Sequence, residues 1–268
     1  MTLLAAVQMT SGPTVGENLV QAGRLIAQAA RAGARLVALP ENFALMPAGD
    51  ADRLSAAEPD GSGPIQDFLA TAAREHGVWL VGGTIPLATP GGTRVRASCL
   101  LYDDRGRRVA RYDKIHLFDV QLGNGERYRE SNSIEGGSEP VVMPTPFGNV
   151  GLAVCYDLRF PELFRRLLDR GAELFVVPSA FTAHTGRAHW EVLLRARAVE
   201  NLAYVIAPDQ AGRHINGRET YGHTMIVNPW GEILRQLPHE PGVVMAECDL
   251  PTLRAMRAQL PSIDHRRL

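Results

Sequence analysis

The feature that most constrains this chain is a recurring exchange between short apolar runs and amphipathic segments of helical period. Residues 3–9 form the first run. Residues 18–32 carry Leu19, Ala22, Leu25, Ile26 and Ala29 on one helical face and stop at Gly33. The second run follows at once, Arg35-Leu-Val-Ala-Leu39. Strands that are near-continuously apolar are buried on both faces, so this β-α-β start predicts a sheet covered by helices. The pattern continues with a helix over 65–75, a strand over 78–83, and a hairpin of 97–102 and 107–111 around Asp103-Asp-Arg-Gly106. It returns in the second half: strand 150–154, helix 161–170, strand 173–177, helix 188–201, strand 204–207, strands over 222–227 and 243–248, and a short helix over 252–259. Residues 44–63 and 120–139 read as loops, the second long enough to be functional or mobile. No linker-like shift in composition divides the chain, so one α/β domain over 1–268 is expected.

Composition narrows the class. The 268 residues are 45% hydrophobic and 21% charged, an ordinary globular mix. Lys plus Arg is 28 against 29 Asp plus Glu, which argues against nucleic acid or an anionic membrane as a partner. Three cysteines make no disulfide framework, and the eight histidines show no ligand spacing, so neither a metal nor a cofactor is expected. Met1-Thr-Leu-Leu-Ala-Ala-Val-Gln-Met lacks the basic region of a signal peptide and the length of a membrane span. The expected setting is the cytoplasm.

Three reactive side chains stand at abrupt element edges. Cys155 ends the apolar run Val150-Gly-Leu-Ala-Val and precedes a helix opened by Pro161-Glu162. A strand-to-helix turn near a helix's positive end favours the thiolate, the form that attacks carbon. Core filling is the competing role for a cysteine in an apolar run. Glu41 follows the second strand, and Lys114 follows the hairpin. Ligands gather at the carboxyl ends of strands in α/β folds. A thiol, a carboxylate and an ammonium together suit acyl transfer, as nucleophile, proton carrier and oxyanion stabiliser.

Pro40-Glu41-Asn42, Asp113-Lys114-Ile-His116-Leu-Phe118-Asp119 and Cys155-Tyr156-Asp157-Leu158-Arg159-Phe160-Pro161-Glu162 together resemble the Glu-Lys-Cys signatures of the nitrilase superfamily, the carbon–nitrogen hydrolases. The resemblance runs from Ala5-Val-Gln-Met9 to the tail after Leu260. It implies a four-layer α-β-β-α sandwich forming a homodimer or higher homo-oligomer through helices. It implies Cys155 as nucleophile, Glu41 as general base, and Lys114 as oxyanion stabiliser aided by the backbone N–H of Tyr156. Glu130 would hold Lys114, with Glu126 close by in the same loop. A carboxylate-bearing amide, cleaved with release of ammonia through a Cys thioester, is the implied small-molecule substrate.

Arg159 lies one helical turn after Cys155 and either clamps a substrate carboxylate or pairs with Asp157 or Glu162. In related amidase branches the residues matching Arg159 and Thr185 contact substrate carboxylate. Gln210-Ala-Gly-Arg213-His214 and Tyr221-Gly-His223-Thr-Met-Ile-Val-Asn-Pro-Trp-Gly231 resemble the branch acting on deaminated glutathione. Its basic loop, with Arg213, His214 and Arg218, would suit a substrate with several carboxylates, Arg213 being the binding candidate. Omega-amidases, acting on 2-oxoglutaramate or other short 2-oxo acid amides, are the sister branch. A non-enzymatic binding protein of the same fold is the other class, and the intact Glu41, Lys114 and Cys155 argue against it. Cys99 and Cys248 lie in strand-like runs and are expected to be core.

Overall fold

The computed structural model describes residues 1–123 and 125–267. In chain order the first half runs β1 (Thr2–Gln8), α1 (Val15–Arg31), β2 (Leu36–Ala38), α2 (Asp50–Ser55), α3 (Pro64–His76), β3 (Trp79–Val81), β4 (Ile85–Ala88), β5 (Val95–Tyr102) and β6 (Arg108–Asp113). A small ribbon follows, β7 (Asp119–Gln121) and β8 (Arg127–Arg129). The second half runs β9 (Val141–Thr145), β10 (Gly148–Leu152), α4 (Pro161–Asp169), β11 (Leu174–Val176), α5 (Ala183–Asn201), β12 (Tyr204–Ala207), β13 (Ala211–Arg213), β14 (Glu219–Tyr221), β15 (Met225–Val227), β16 (Ile233–Gln236), β17 (Gly242–Cys248) and α6 (Leu250–Gln259).

Two large sheets result, each with three parallel strands at its centre. The first has the order β17-β1-β2-β3-β5-β4, with β6 also paired to β5. The second has the order β16-β15-β12-β11-β10-β9. β1, β2 and β3 are mutually parallel, as are β10, β11 and β12, and the flanking strands run antiparallel. The pleat explains the layering. Along β1, Ala5 and Val7 face Ala22, Leu25 and Ile26 of α1, whereas Leu4 and Ala6 join Val150, Leu152 and Val205 in the core between the sheets. On the outer side of the second sheet, Leu163, Phe164 and Leu167 of α4 and Trp190 and Leu194 of α5 close the same core. The architecture is the α-β-β-α sandwich.

Several segments differ from expectation. The 44–63 stretch contains the short helix α2, and 120–139 is not structureless, since it holds the β7–β8 ribbon and a 3₁₀ turn at Glu130–Asn132. β4 and β9 are additional strands. Both are edge strands and both carry a proline, Pro86 and Pro144, which is tolerated only where the missing N–H needs no partner. α5 begins at Ala183 rather than 188, because the Thr182 side chain caps it by accepting from the Thr185 N–H. The helix at Pro161 starts where expected, and a 3₁₀ turn, Cys155–Arg159, fills the stretch between strand and helix.

Candidate active site

Four short segments meet at the ends of strands. Glu41 follows β2, Cys155 follows β10, Ala180 and Phe181 follow β11, and Lys114 follows β6. The first three leave the carboxyl ends of parallel strands, where backbone turns away from the sheets and leaves a crevice. The turn at Pro40–Glu41 is set closely against its neighbour. Gly83 has φ +54, and a Cβ there would lie 2.1 Å from the Pro40 carbonyl oxygen.

Glu41, Lys114 and Glu130 form a buried charge cluster. Lys114 Nζ donates to Glu41 Oε1 at 2.8 Å and to Glu130 Oε2 at 2.8 Å. The other Glu41 oxygen accepts from the Ala180 N–H at 2.9 Å. Glu130 Oε2 also accepts from the Phe118 N–H at 2.8 Å. Glu130 therefore holds Lys114, while Glu126 Oε2 accepts from the Tyr128 hydroxyl at 2.8 Å. Burial works against the charge on Lys114, but the Glu130 and Glu41 carboxylates outweigh it and hold its pKa above the ordinary lysine value. Burial likewise works against the charge on Glu130, yet Lys114 and the Phe118 N–H pull its pKa below the ordinary carboxylate value. Lys114 is a fixed cation in this site.

Cys155 opens the 3₁₀ turn with φ +47, a strained value for a residue with a Cβ. Two bonds impose it. The Cys155 N–H donates to the Pro178 carbonyl at 2.9 Å, and the Val154 N–H donates to Asp157 Oδ2 at 2.8 Å. Asp157 is fully buried and also accepts from the Tyr112 hydroxyl at 2.6 Å and from the His116 N–H at 3.0 Å. Its Oδ1 lies 2.7 Å from His116 Nδ1, and the His116 ring stacks on Phe160 at 3.6 Å. Asp157 thus ties the cysteine turn to the segment that carries Lys114. The neighbour spacing of an acid two residues after the cysteine offered no hint of this role. The Tyr156 N–H is second in the turn, ahead of its first internal hydrogen bond, so it is available to a ligand.

The ionisation of Cys155 runs against the expectation of an acidic thiol. Burial and the Glu41 carboxylate push it well above the ordinary thiol range, and Lys114 and Arg218 only partly oppose them. A 3₁₀ turn of five residues separates Cys155 from the start of α4 at Pro161, so the sulfur lies a turn away from that helix's positive end. A shift in that direction favours the thiol over the thiolate, so attack calls for a base at hand. Cys99 and Cys248 are buried within β5 and β17.

The other expected residues divide. Cys155, Tyr156, Arg159, Thr185, Phe118, Phe181 and Arg218 line one pocket. Arg159 pairs with neither Asp157 nor Glu162. Its guanidinium sits 5.2 Å over the Phe181 ring and 5.9 Å over the Tyr156 ring, with Nη1 3.2 Å from His189 Nδ1. Thr185 is buried, its hydroxyl 2.8 Å from that of Thr182.

Arg213 lies apart from this pocket. It is exposed on the β13–β14 ribbon and lines no cavity at the site. His214 is buried, with Nδ1 3.0 Å from the Ser11 carbonyl and Nε2 2.8 Å from Thr220 Oγ1, and burial lowers its pKa, so it adds no charge to the loop. Strand alternation and the turn at Gly217 bring Arg218 inward instead. It donates to the Ala180 carbonyl, lies 5.2 Å over the Tyr128 ring, and its buried Nε has no hydrogen-bond partner among the described residues. Arg213→Gln is expected to leave kcat/KM within about twofold, whereas Arg218→Gln lowers it by at least about tenfold, the worth of one charged hydrogen bond. Steady-state kinetics on the two variants decides between them.

A thiol, a carboxylate and a fixed ammonium on strand ends, with a guanidinium beside them, define the class as a thiol-dependent hydrolase. The model of the carbon-nitrogen hydrolase family matches residues 3–258, and the chain belongs to that family. It is a hydrolase of carbon–nitrogen bonds other than peptide bonds. It is 45% identical to the deaminated glutathione amidase of Synechocystis over 98% of this chain and 97% of that protein. Among solved structures, the C. elegans NitFhit protein superposes with a TM-score of 0.92 at 36% identity, over 99% of this chain and 65% of that one. The amidase of Nesterenkonia sp. AN1 superposes with a TM-score of 0.79 at 27% identity, over 97% of this chain and 98% of that one, and in one structure carries acrylamide added at its active-site cysteine. Among the described residues no helix is long and apolar enough to cross a membrane.

Proposed function

We propose that this enzyme hydrolyses the linear amide of deaminated glutathione. The observation that carries the reading is the 45% identity, across almost the full length of both chains, to an amidase of that substrate. The geometry supports the chemistry. Arg159, placed over the Phe181 and Tyr156 rings, receives the 2-oxo acid carboxylate. Glu41 takes the Cys155 proton as sulfur attacks the amide carbonyl. Lys114 Nζ and the Tyr156 N–H stabilise the oxyanion. Glu41 then returns the proton to the departing nitrogen, the amine leaves, and a thioester remains. Water attacks the thioester with Glu41 as base, and the acid is released.

The chemistry of the substrate sharpens the assay. In glutathione the amide nitrogen next to the glutamyl side-chain carbonyl belongs to the cysteinyl residue. Hydrolysis there frees a cysteinylglycine amine. Ammonia is the leaving group only from a primary amide such as 2-oxoglutaramate. Release of amine from deaminated glutathione and of ammonia from 2-oxoglutaramate, measured side by side, tests the reading. A higher kcat/KM on deaminated glutathione is expected. A preference for 2-oxoglutaramate would reassign the enzyme to short 2-oxo acid amides.

A homo-oligomer built through helices is also proposed. The outward face of α5 carries the exposed Val192 and Val199, with exposed Trp230 nearby in sequence to its Gly231 neighbour of Val199. A monomer by light scattering at working concentration would exclude it.

A further inference from the structure

The space around the reaction centre divides into two compartments of unequal size. The first, about 10 Å³, is bounded by Cys155, Arg159, Phe181 and Thr185. The second, about 430 Å³, is bounded by Asn42 and Glu130 and by the guanidinium-bearing Arg53, Arg127 and Arg129. Arg218 borders both.

The charge in the larger compartment is not balanced. Its two carboxylates are already engaged: Asp50 with Arg53 at 3.3 Å and with the Ser133 hydroxyl at 2.6 Å, and Glu130 with Lys114. Arg127 and Arg129 have no ion-pair partner among the described residues. They stand two apart on β8, so the pleat turns both to one side, while Tyr128 between them packs on Phe118 at 5.1 Å. Two guanidiniums so placed match one carboxylate.

The path of the proton says which half of the amide goes where. The departing nitrogen takes its proton from Glu41. The larger compartment begins at the next residue, Asn42, and at Glu130, which shares Lys114 with Glu41. Arg159 and Thr185 lie in the other compartment, with Cys155. The acyl half, bonded to Cys155, therefore stays on the Arg159 side of the sulfur, and the amine half leaves past Asn42.

We infer that the compartment lined by Arg53, Arg127 and Arg129 is a binding site for the amine half of the substrate, selecting peptide-like amines that carry a free carboxylate. The inference rests on the amidase reading of the site. The test is the double variant Arg127→Gln/Arg129→Gln, two exposed side chains on a ribbon outside the core. The ratio of kcat/KM on deaminated glutathione to that on 2-oxoglutaramate is expected to fall at least about tenfold. Wild-type enzyme given deaminated glutathione with its glycine carboxylate converted to carboxamide is expected to show the same fall, and the double variant to make little distinction between acid and carboxamide. An unchanged ratio, or a carboxamide cleaved as well as the acid by wild type, overturns the inference. If wild-type enzyme cleaves neither substrate, the amidase reading for these substrates fails. Binding to the Cys155→Ala protein then decides the compartment alone: cysteinylglycine bound at least about tenfold tighter than its carboxamide supports it, and equal binding or none overturns it.

Discussion

Cys155→Ala is expected to remove at least about four orders of magnitude of kcat/KM on deaminated glutathione, as loss of a nucleophile does in enzymes that form an acyl intermediate. The fold should survive. The substitution removes one sulfur from a 5%-exposed position and keeps a Cβ, so φ +47 is as strained in the variant as in the parent. The bonds from Val154 to Asp157 and from Cys155 to Pro178 use backbone N–H groups that Ala retains. A stability change within about 1 kcal/mol, a few degrees in Tm, is expected. Kinetics and thermal melting on the same preparation check both parts. A variant that keeps more than about a hundredth of wild-type activity would place the nucleophile elsewhere. The other two thiols offer no substitute: both are buried, and burial pushes Cys248 up to about 12.

Lys114→Met is expected to damage both activity and stability, and to do so with a recognisable pH signature. Loss of an oxyanion donor lowers kcat by about 10²–10³. Removing one partner of a buried ion cluster costs about 3–5 kcal/mol, because Glu41 and Glu130 lose their shared cation. The sign follows from Glu130. In the parent its pKa lies below the ordinary carboxylate value, so it contributes stability above that value and loses it as pH falls through the folded pKa. Without Lys114, burial is opposed only by the Phe118 N–H and Arg218, and the Glu130 pKa moves to the high side. The folded variant then binds a proton that the unfolded chain does not, so lowering pH favours folding. The deficit relative to the parent should shrink between pH 7 and pH 5. Urea unfolding of both proteins at the two values reads this directly. A deficit that is constant or grows toward pH 5 would mean that the cluster does not share the lysine's charge.

Much of the frame was legible. The central strands β1, β2, β10, β11 and β12 appear as apolar runs because both faces are covered, and the helices appear because only one face is. The strands hardest to read were β4 and β9, where Pro86 and Pro144 interrupt the pattern and an edge position tolerates them. The ribbon β7–β8 was hidden for a different reason. Its residues are charged and exposed, so no burial signal marks the strand, and only the length of the segment hinted at a role.

The site was legible as a set of residue types and only partly as a set of contacts. Cys155, Glu41 and Lys114 stand at element edges that the sequence shows. That Arg218 rather than Arg213 borders the pocket was not legible, because both lie in one basic loop and charge alone does not say which side chain a two-stranded ribbon turns inward. The acidity of Cys155 was misjudged for a similar reason: desolvation depends on what closes over the sulfur, and that includes residues far away in the chain.

The sequence by itself determined the β-α-β alternation, a sheet covered by helices, and the presence of a thiol, a carboxylate and an ammonium at element edges. These follow from local periodicity and from side-chain chemistry. Only the tertiary structure decided that Glu130 rather than Glu126 holds Lys114, that Asp157 strains the cysteine turn into place, and that Arg127 and Arg129 line the larger compartment. Those are distances between segments tens of residues apart, and they are set by how sheets stack and where strands end.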